Sequence, residues 1–215
     1  MERRFAINIL CIPFFVLVVL LGCSEGSETY YSLREGMTWV YYSSISYQGG
    51  SVTNKLVVTN FASRELKGKK VTPKKCYTER DIIFTFLVED NNGIYEFARQ
   101  SPEDIEPIIF PSANYVIKYP IQVGTTWNFT DFDNSVTFKC TIEKIDEVVT
   151  VSAGTFKGCV MVKRIGSEGI KGNGNIEVEI YEWYAPGVGL IKKTMKQTEG
   201  RDLILKTAMQ LESFK

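Results

Sequence analysis

From Trp39 onward the chain alternates. Trp39, Tyr41, Ser43, Ile45 and Tyr47 fall on one parity, and Thr38, Val40, Tyr42 and Ser44 on the other. A two-residue period rich in aromatic and β-branched side chains predicts a strand, because successive side chains of extended backbone leave opposite faces. The pattern returns over Val52–Ser63 and Val71–Arg80. It is clearest over Asp81–Asp90, where Ile82, Phe84, Phe86 and Val88 share a face, and Ile94–Arg99 runs back after Asn91-Asn92-Gly93. Later, Val136, Phe138, Cys140 and Ile142 share a face. Strands follow over Val148–Val151, Phe156–Ile165, Ile176–Tyr184 and Gly189–Thr198, and then an apolar stripe of Leu203, Leu205, Met209 and Leu211. Turn chemistry separates them at Gln48–Ser51, Leu66–Lys70, Ala185–Val188 and Glu199–Asp202. Gly166–Asn175 holds four glycines and reads as a hairpin loop.

The pattern breaks over Ser101–Pro120, which carries Pro102, Pro107, Pro111 and Pro120. Each proline removes a ladder donor, so this stretch reads as a connection rather than a central strand. Ile108-Ile109-Phe110 inside it should pack onto the core. No convincing amphipathic helix is visible after the leader. About a dozen strands exceed what an open twisted sheet holds without curling. The expected fold is all-β: an antiparallel half-barrel, barrel or sandwich, forming one domain over 36–215. Outward positions are too polar for an outer-membrane barrel.

The chain also echoes itself. Gly36-Met37-Thr38-Trp39 recurs as Gly124-Thr125-Thr126-Trp127, Lys67-Gly68 as Lys157-Gly158, and Tyr95-Glu96-Phe97 as Tyr181-Glu182-Trp183. Three matches in one order at similar offsets predict two related meander halves, about 36–110 and 124–198, joined by the proline segment of 101–120.

The first residues belong to a different grammar. Glu2-Arg3-Arg4 precedes the apolar run Phe5–Leu21, too short for a comfortable membrane span and suited to a cleaved signal peptide. Leu20-Leu21-Gly22-Cys23 resembles the lipobox of bacterial lipoproteins. That resemblance implies loss of residues 1–22, lipidation (palmitate among the acyl groups) of Cys23, and a polar tether over 23–35. It also implies a cell-envelope address. Ser24, in place of the Asp that retains such proteins at the inner membrane of enterobacteria, points to the outer membrane, facing the periplasm.

Charge narrows the function. Lys plus Arg and Asp plus Glu number 25 each, so the chain is near neutral and no nucleic-acid surface is expected. Lys67, Lys69, Lys70, Lys74 and Lys75 form the one basic cluster, read as a solubilising edge or a contact for anionic head groups. There is no histidine, which removes Ser-His-Asp and Cys-His catalysis and imidazole metal sites. No metal and no cofactor is expected. Asp131, Asp133 and Asn134 read as a hairpin turn. Glu103, Asp104 and Glu106 read as solvated loop acids, and Glu177 and Glu179, two apart on one strand face with Glu182 on the other, read as a wet sheet face. Cys76, Cys140 and Cys159 remain after the leader. Export favours oxidation, and Cys140–Cys159 is the preferred disulfide, because the two fall on neighbouring strands. Three free thiols are the alternative.

Val151-Ser152-Ala153-Gly154-Thr155-Phe156, then Cys159, then Trp183-Tyr184-Ala185-Pro186-Gly187-Val188-Gly189, is similar to a signature of uncharacterised bacterial lipoproteins. Ser152 stands where those proteins usually have proline. These are turn and core residues, so the resemblance implies an address and a fold but no reaction. The aromatic residues Trp39, Tyr41, Trp127 and Trp183 are the candidates for lining an apolar pocket. The expected role is non-catalytic: binding an apolar ligand or an envelope partner, with a purely structural lipoprotein of filled core as the alternative.

Overall fold

The computed structural model describes residues 29–79, 81–131, 136–170 and 174–215. The leader, Cys23 and the Asp133-Asn134 turn lie outside them. Among the described residues the chain is all strand and turn. The strands are β1 (Thr38–Tyr47), β2 (Gly50–Asn60), β3 (Arg64–Leu66), β4 (Lys69–Tyr77), β5 (Ile82–Asp90), β6 (Gly93–Gln100), β7 (Ile108–Lys118), β8 (Thr126–Thr130), β9 (Thr137–Val151), β10 (Gly154–Ile170), β11 (Gly174–Ala185), β12 (Gly189–Glu199) and β13 (Asp202–Phe214).

One antiparallel path runs β7-β6-β5-β4-β2-β1-β13-β12-β11-β10-β9-β8, with β3 paired to β4 off the path. Both halves are therefore six-stranded meanders. They join through the long β1–β13 ladder, from Trp39 opposite Phe214 to Tyr47 opposite Leu205. At the other seam β7 and β8 come together without a backbone ladder, so the sheet curls into a nearly closed barrel. Curling brings the apolar parity of most strands inward. β5 is the exception, turning Thr85 and Leu87 inward and leaving Phe84, Phe86 and Val88 on the opposite face, in a separate cluster with Val71, Ala98 and Leu66 of β3. The Gly-x-Thr-Trp pair opens the first strand of each meander. The other echoes fall on unlike places. Lys67-Gly68 is the β3–β4 turn, whereas Lys157-Gly158 lies inside β10; Tyr95 is on the fifth strand of its meander and Tyr181 on the fourth.

Three stretches differ from the sequence expectation. The proline segment contains a strand, β7, on the edge of the sheet. Pro111 sits where the β6–β7 register shifts, between Ala98 opposite Ile109 and Glu96 opposite Asn114. An edge bulge is where proline costs the ladder least. The glycine-rich loop is mostly strand: β10 and β11 pair from Val160 opposite Tyr184 out to Ile170 opposite Gly174. Gly166 is there for space, since a Cβ would meet Val136 Cγ1 at 2.5 Å and Phe138 Cδ1 at 3.0 Å. Finally, the tether is much shorter than 23–35. Gly187 N donates to Thr29 O at 3.0 Å, and Tyr30 Oη to Gly158 O at 3.0 Å. Asn60 Nδ2 donates to Ser32 O and Arg34 O at 3.0 and 3.1 Å. From Thr29 on, this segment is held by the barrel.

The preferred disulfide is absent. Cys76, Cys140 and Cys159 are free thiols. Cys140 and Cys159 do lie on adjacent strands, but Cys140 is opposite Arg164 and Cys159 is opposite Glu147. Seven positions of β9 separate Glu147 from Cys140, about 23 Å of strand, whereas a bridge needs Cα atoms within about 7 Å. The thiols belong to different core clusters.

Candidate functional site

Two adjoining cavities occupy the barrel interior and share Tyr31, Leu190 and Lys193 as walls. Tyr31 comes from the segment read as tether. Its ring sits 6.2 Å from that of Tyr184.

The larger cavity, about 420 Å³, is polar. Parity explains how charge got inside. Val160, Val162 and Arg164 share one face of β10, and Val178, Ile180 and Glu182 one face of β11; in both strands that face is the dry one. Arg164 and Glu182 are 4% and 5% exposed. Arg164 Nε donates to Glu182 Oε2 at 2.7 Å, and its Nη2 to Val116 O at 3.1 Å. Tyr184 Oη donates to the same Glu182 oxygen at 2.8 Å, and Lys193 Nζ lies 3.3 Å from Oε1. The guanidinium also stacks 4.6 Å from the Phe129 ring centroid. Burial alone would raise the pKa of Glu182, but Arg164 and Lys193 outweigh it and hold the carboxyl near 2. Arg164 is likewise kept charged: burial opposes the cation and Glu182 overrides it. A second pair, Arg99 Nη2 to Glu96 at 2.8 and 2.9 Å, faces the same space. These charges stand in pairs: Arg164 and Lys193 with Glu182, and Arg99 with Glu96. Glu182 is thus not part of a wet face, unlike Glu179, which pairs with Lys163 at 3.0 Å nearer the solvent.

The smaller cavity, about 310 Å³, is mostly apolar and is walled by β4, β2, β1, β13 and β12. Trp39 and Tyr41 stand in its wall with Leu56, Val58, Val188 and Met209. Trp39 Nε1 donates to Val188 O at 2.9 Å and Tyr41 Oη to Leu190 O at 2.8 Å, which locks both rings. Lys74 and Cys76, neighbours on one face of β4, complete it. Lys74 therefore leaves the surface lysine cluster in which the sequence places it. Burial lowers its pKa to about 8, with Cys76 and Glu96 acting the other way, and burial pushes the Cys76 thiol up.

Trp127 and Trp183 do not line the apolar cavity. Trp127 donates Nε1 to Tyr115 O at 2.8 Å across the β7–β8 seam. Trp183 lies on the opposite parity from Glu182, donates to Glu147 Oε2 at 2.9 Å and stacks under Lys192.

No family model matches this chain, and no curated protein matches it. Two solved structures are similar in outline. One is a protein of Bacteroides fragilis NCTC 9343, described as exported with a YmcC-like fold: TM-score 0.48, 19% identity, covering 86% of this chain and 98% of that one. The other is from Parabacteroides distasonis ATCC 8503 and described as a lipoprotein: TM-score 0.42, 15% identity, covering 88% and 99%. At these values nothing about a site transfers, and the site rests on its own residues.

Sequence reasoning named Trp39 and Tyr41 but missed Lys74, Arg164 and Glu182. The signal was present in the parity: each of the latter two sits in step with the apolar residues of its strand.

Proposed function

We propose that this is a lipid-anchored envelope protein whose barrel binds a small apolar or amphipathic molecule without catalysing a reaction. The observation that carries the reading is the 310 Å³ cavity walled by Trp39, Tyr41, Leu56, Val58 and Met209. A scaffold with a filled core holds few voids larger than a water molecule, whereas ligand pockets start near about 300 Å³. The polar cavity is different in kind, because its buried charges, Arg164 with Glu182 and Glu96 with Arg99, are paired; it is a structural part of the barrel.

The lipobox-like Leu20-Leu21-Gly22-Cys23 supports the anchor, and Ser24 supports an outer-membrane, periplasm-facing position. Only five residues separate Cys23 from Thr29, which the barrel holds, a reach of at most about 20 Å. The cavity then works close to the bilayer, where amphipathic molecules are concentrated. Native mass spectrometry of the mature protein taken from its own envelope tests the binding: a stoichiometric small-molecule adduct is expected, and a clean apo mass would remove the reading. Cys23→Ser should abolish incorporation of a fatty-acid probe; persistent labelling sinks the anchor.

A further inference from the structure

We infer that the molecule taken into the apolar cavity is a single-chain aliphatic carboxylate, and that Lys74 selects its head group. This rests on the binding role proposed above. Four charged side chains are buried among the described residues: Lys74, Glu96, Arg164 and Glu182. Three of them stand in ion pairs with Arg99, Glu182 or Arg164. Lys74 forms no ion pair with any described residue. It is 9% exposed, and it faces the cavity.

What Lys74 has is two rings. Its Nζ lies 4.0 Å from the Tyr31 centroid and 4.7 Å from the Trp39 centroid. The π faces offset part of the cost of holding a cation away from water, but they bring no counter-charge. An anion entering the cavity supplies it. Lys193, the other cation in the wall, already lies 3.3 Å from Glu182. One ammonium with no guanidinium fork beside it matches a single negative charge better than a phosphate dianion, which needs several convergent donors. The rest of the wall is mostly apolar, with Trp39, Leu56, Val58, Val188 and Met209, and accepts an alkyl tail. A volume of 310 Å³ is at the low end for ligand pockets, which fits one chain better than two. The groups that face Lys74 are Cys76 on its own strand, Glu96, Tyr31 and Tyr41. Burial lowers its pKa to about 8, so the ammonium form predominates at neutral pH.

The test uses the full chain in nanodiscs of zwitterionic lipid. Photoactivatable dodecanoic acid and the matching dodecanol are cross-linked separately, and the labelled peptides are mapped. Labelling on β2 and β13, around Leu56, Val58 and Met209, marks the cavity. The acid is expected to label these peptides at least about ten-fold more than the alcohol, the scale of one charge-assisted contact. Lys74→Met should erase that preference while keeping the alcohol signal, which also shows that the variant is folded. Equal labelling by acid and alcohol in the wild type, or a preference unchanged in Lys74→Met, overturns the carboxylate inference and leaves the binding role standing. If neither probe reaches the cavity peptides, the binding role fails and the inference with it.

Discussion

Asn114 closes the barrel by imitating a strand. Its side-chain amide donates from Nδ2 to Thr130 O at 2.7 Å and accepts at Oδ1 from Thr130 N at 2.9 Å. These are the two bonds that a residue on a neighbouring strand would exchange. The backbones of β7 and β8 form no ladder, and this amide, together with Trp127 Nε1 on Tyr115 O, spans the gap. Asn114→Ala should leave both Thr130 groups without partners and destabilise the fold by about 2–3 kcal/mol in urea denaturation. Hydrogen exchange at the Thr130 amide should accelerate by a larger factor than at β1–β13. A seam unchanged in exchange would show that β7 and β8 hold together without Asn114.

Glu182 is the anion on which Arg164 depends. Glu182→Gln keeps the shape and removes the charge, leaving a buried guanidinium uncompensated. The expected loss at neutral pH is about 3–5 kcal/mol. The pH dependence follows from a folded pKa near 2, below the ordinary carboxylate value. Its stabilisation is complete above about pH 4.5 and disappears as pH falls through that range toward 2. Chemical denaturation of both proteins from pH 7 to pH 2.5 checks this: the difference between them should shrink as the acid is added.

Lys74 sets binding against stability. Its folded pKa of about 8 lies below the ordinary lysine value. Below pH 8 both folded and unfolded states are protonated, and the cost of burying the cation is fully present. Between about 8 and 10.5 the unfolded state holds more protons, so this group's contribution to stability rises with pH. Lys74→Met removes the cost and should raise stability at pH 7 by on the order of 3 kcal/mol. The gain over the wild type should narrow as pH passes 8, read from melting curves of the ligand-free proteins.

Gly93 cannot take a side chain. It turns the chain from β5 into β6 with φ at +141°, and a Cβ would stand 2.2 Å from Ile117 O and 2.9 Å from Lys118 Cα. Both obstacles are backbone. Gly93→Ala should cost about 1–3 kcal/mol from the conformation alone, and more from the displaced β6–β7 pairing. Loss of exchange protection at Ile117 would mark the displacement.

The thiols offer a direct check of the register. Cys140 is fully buried, and burial pushes its pKa up to about 11. Thiol titration of the mature chain without reductant should find three reactive groups after denaturation, with Cys140 silent in the native state. A single reactive group after denaturation would mean that two of the cysteines are bridged.

Much of the fold was legible because the strand period is two and the apolar residues keep to it. Trp39 with Tyr41, and Phe138 with Cys140 and Ile142, declare which face is interior without help from the rest of the chain, whereas the Phe84–Phe86 stripe lies on the opposite face of β5 from the inward Thr85 and Leu87. The same parity carried Arg164 and Glu182 to the dry face. Reading charge as surface hid them, because a lone buried charge is costly and its partner sits 18 positions away. Pro111 and Gly166 misled for a related reason. Each is unfavourable inside an average strand, but Pro111 is at an edge bulge and Gly166 gives room to Val136 and Phe138.

The sequence by itself determined an all-β chain, its alternating faces, most of its turns, and an aromatic pair at Trp39 and Tyr41. Tertiary structure decided the rest. It chose a nearly closed barrel over a sandwich, kept Cys140 from Cys159 by register, and drew Tyr31 out of an apparent tether into the interior. It also placed Lys74 over two rings beside an open apolar space. Periodicity is local and survives in the sequence. Register, closure and the pairing of buried charges depend on which strand lies next to which, and that is settled only when the sheet curls.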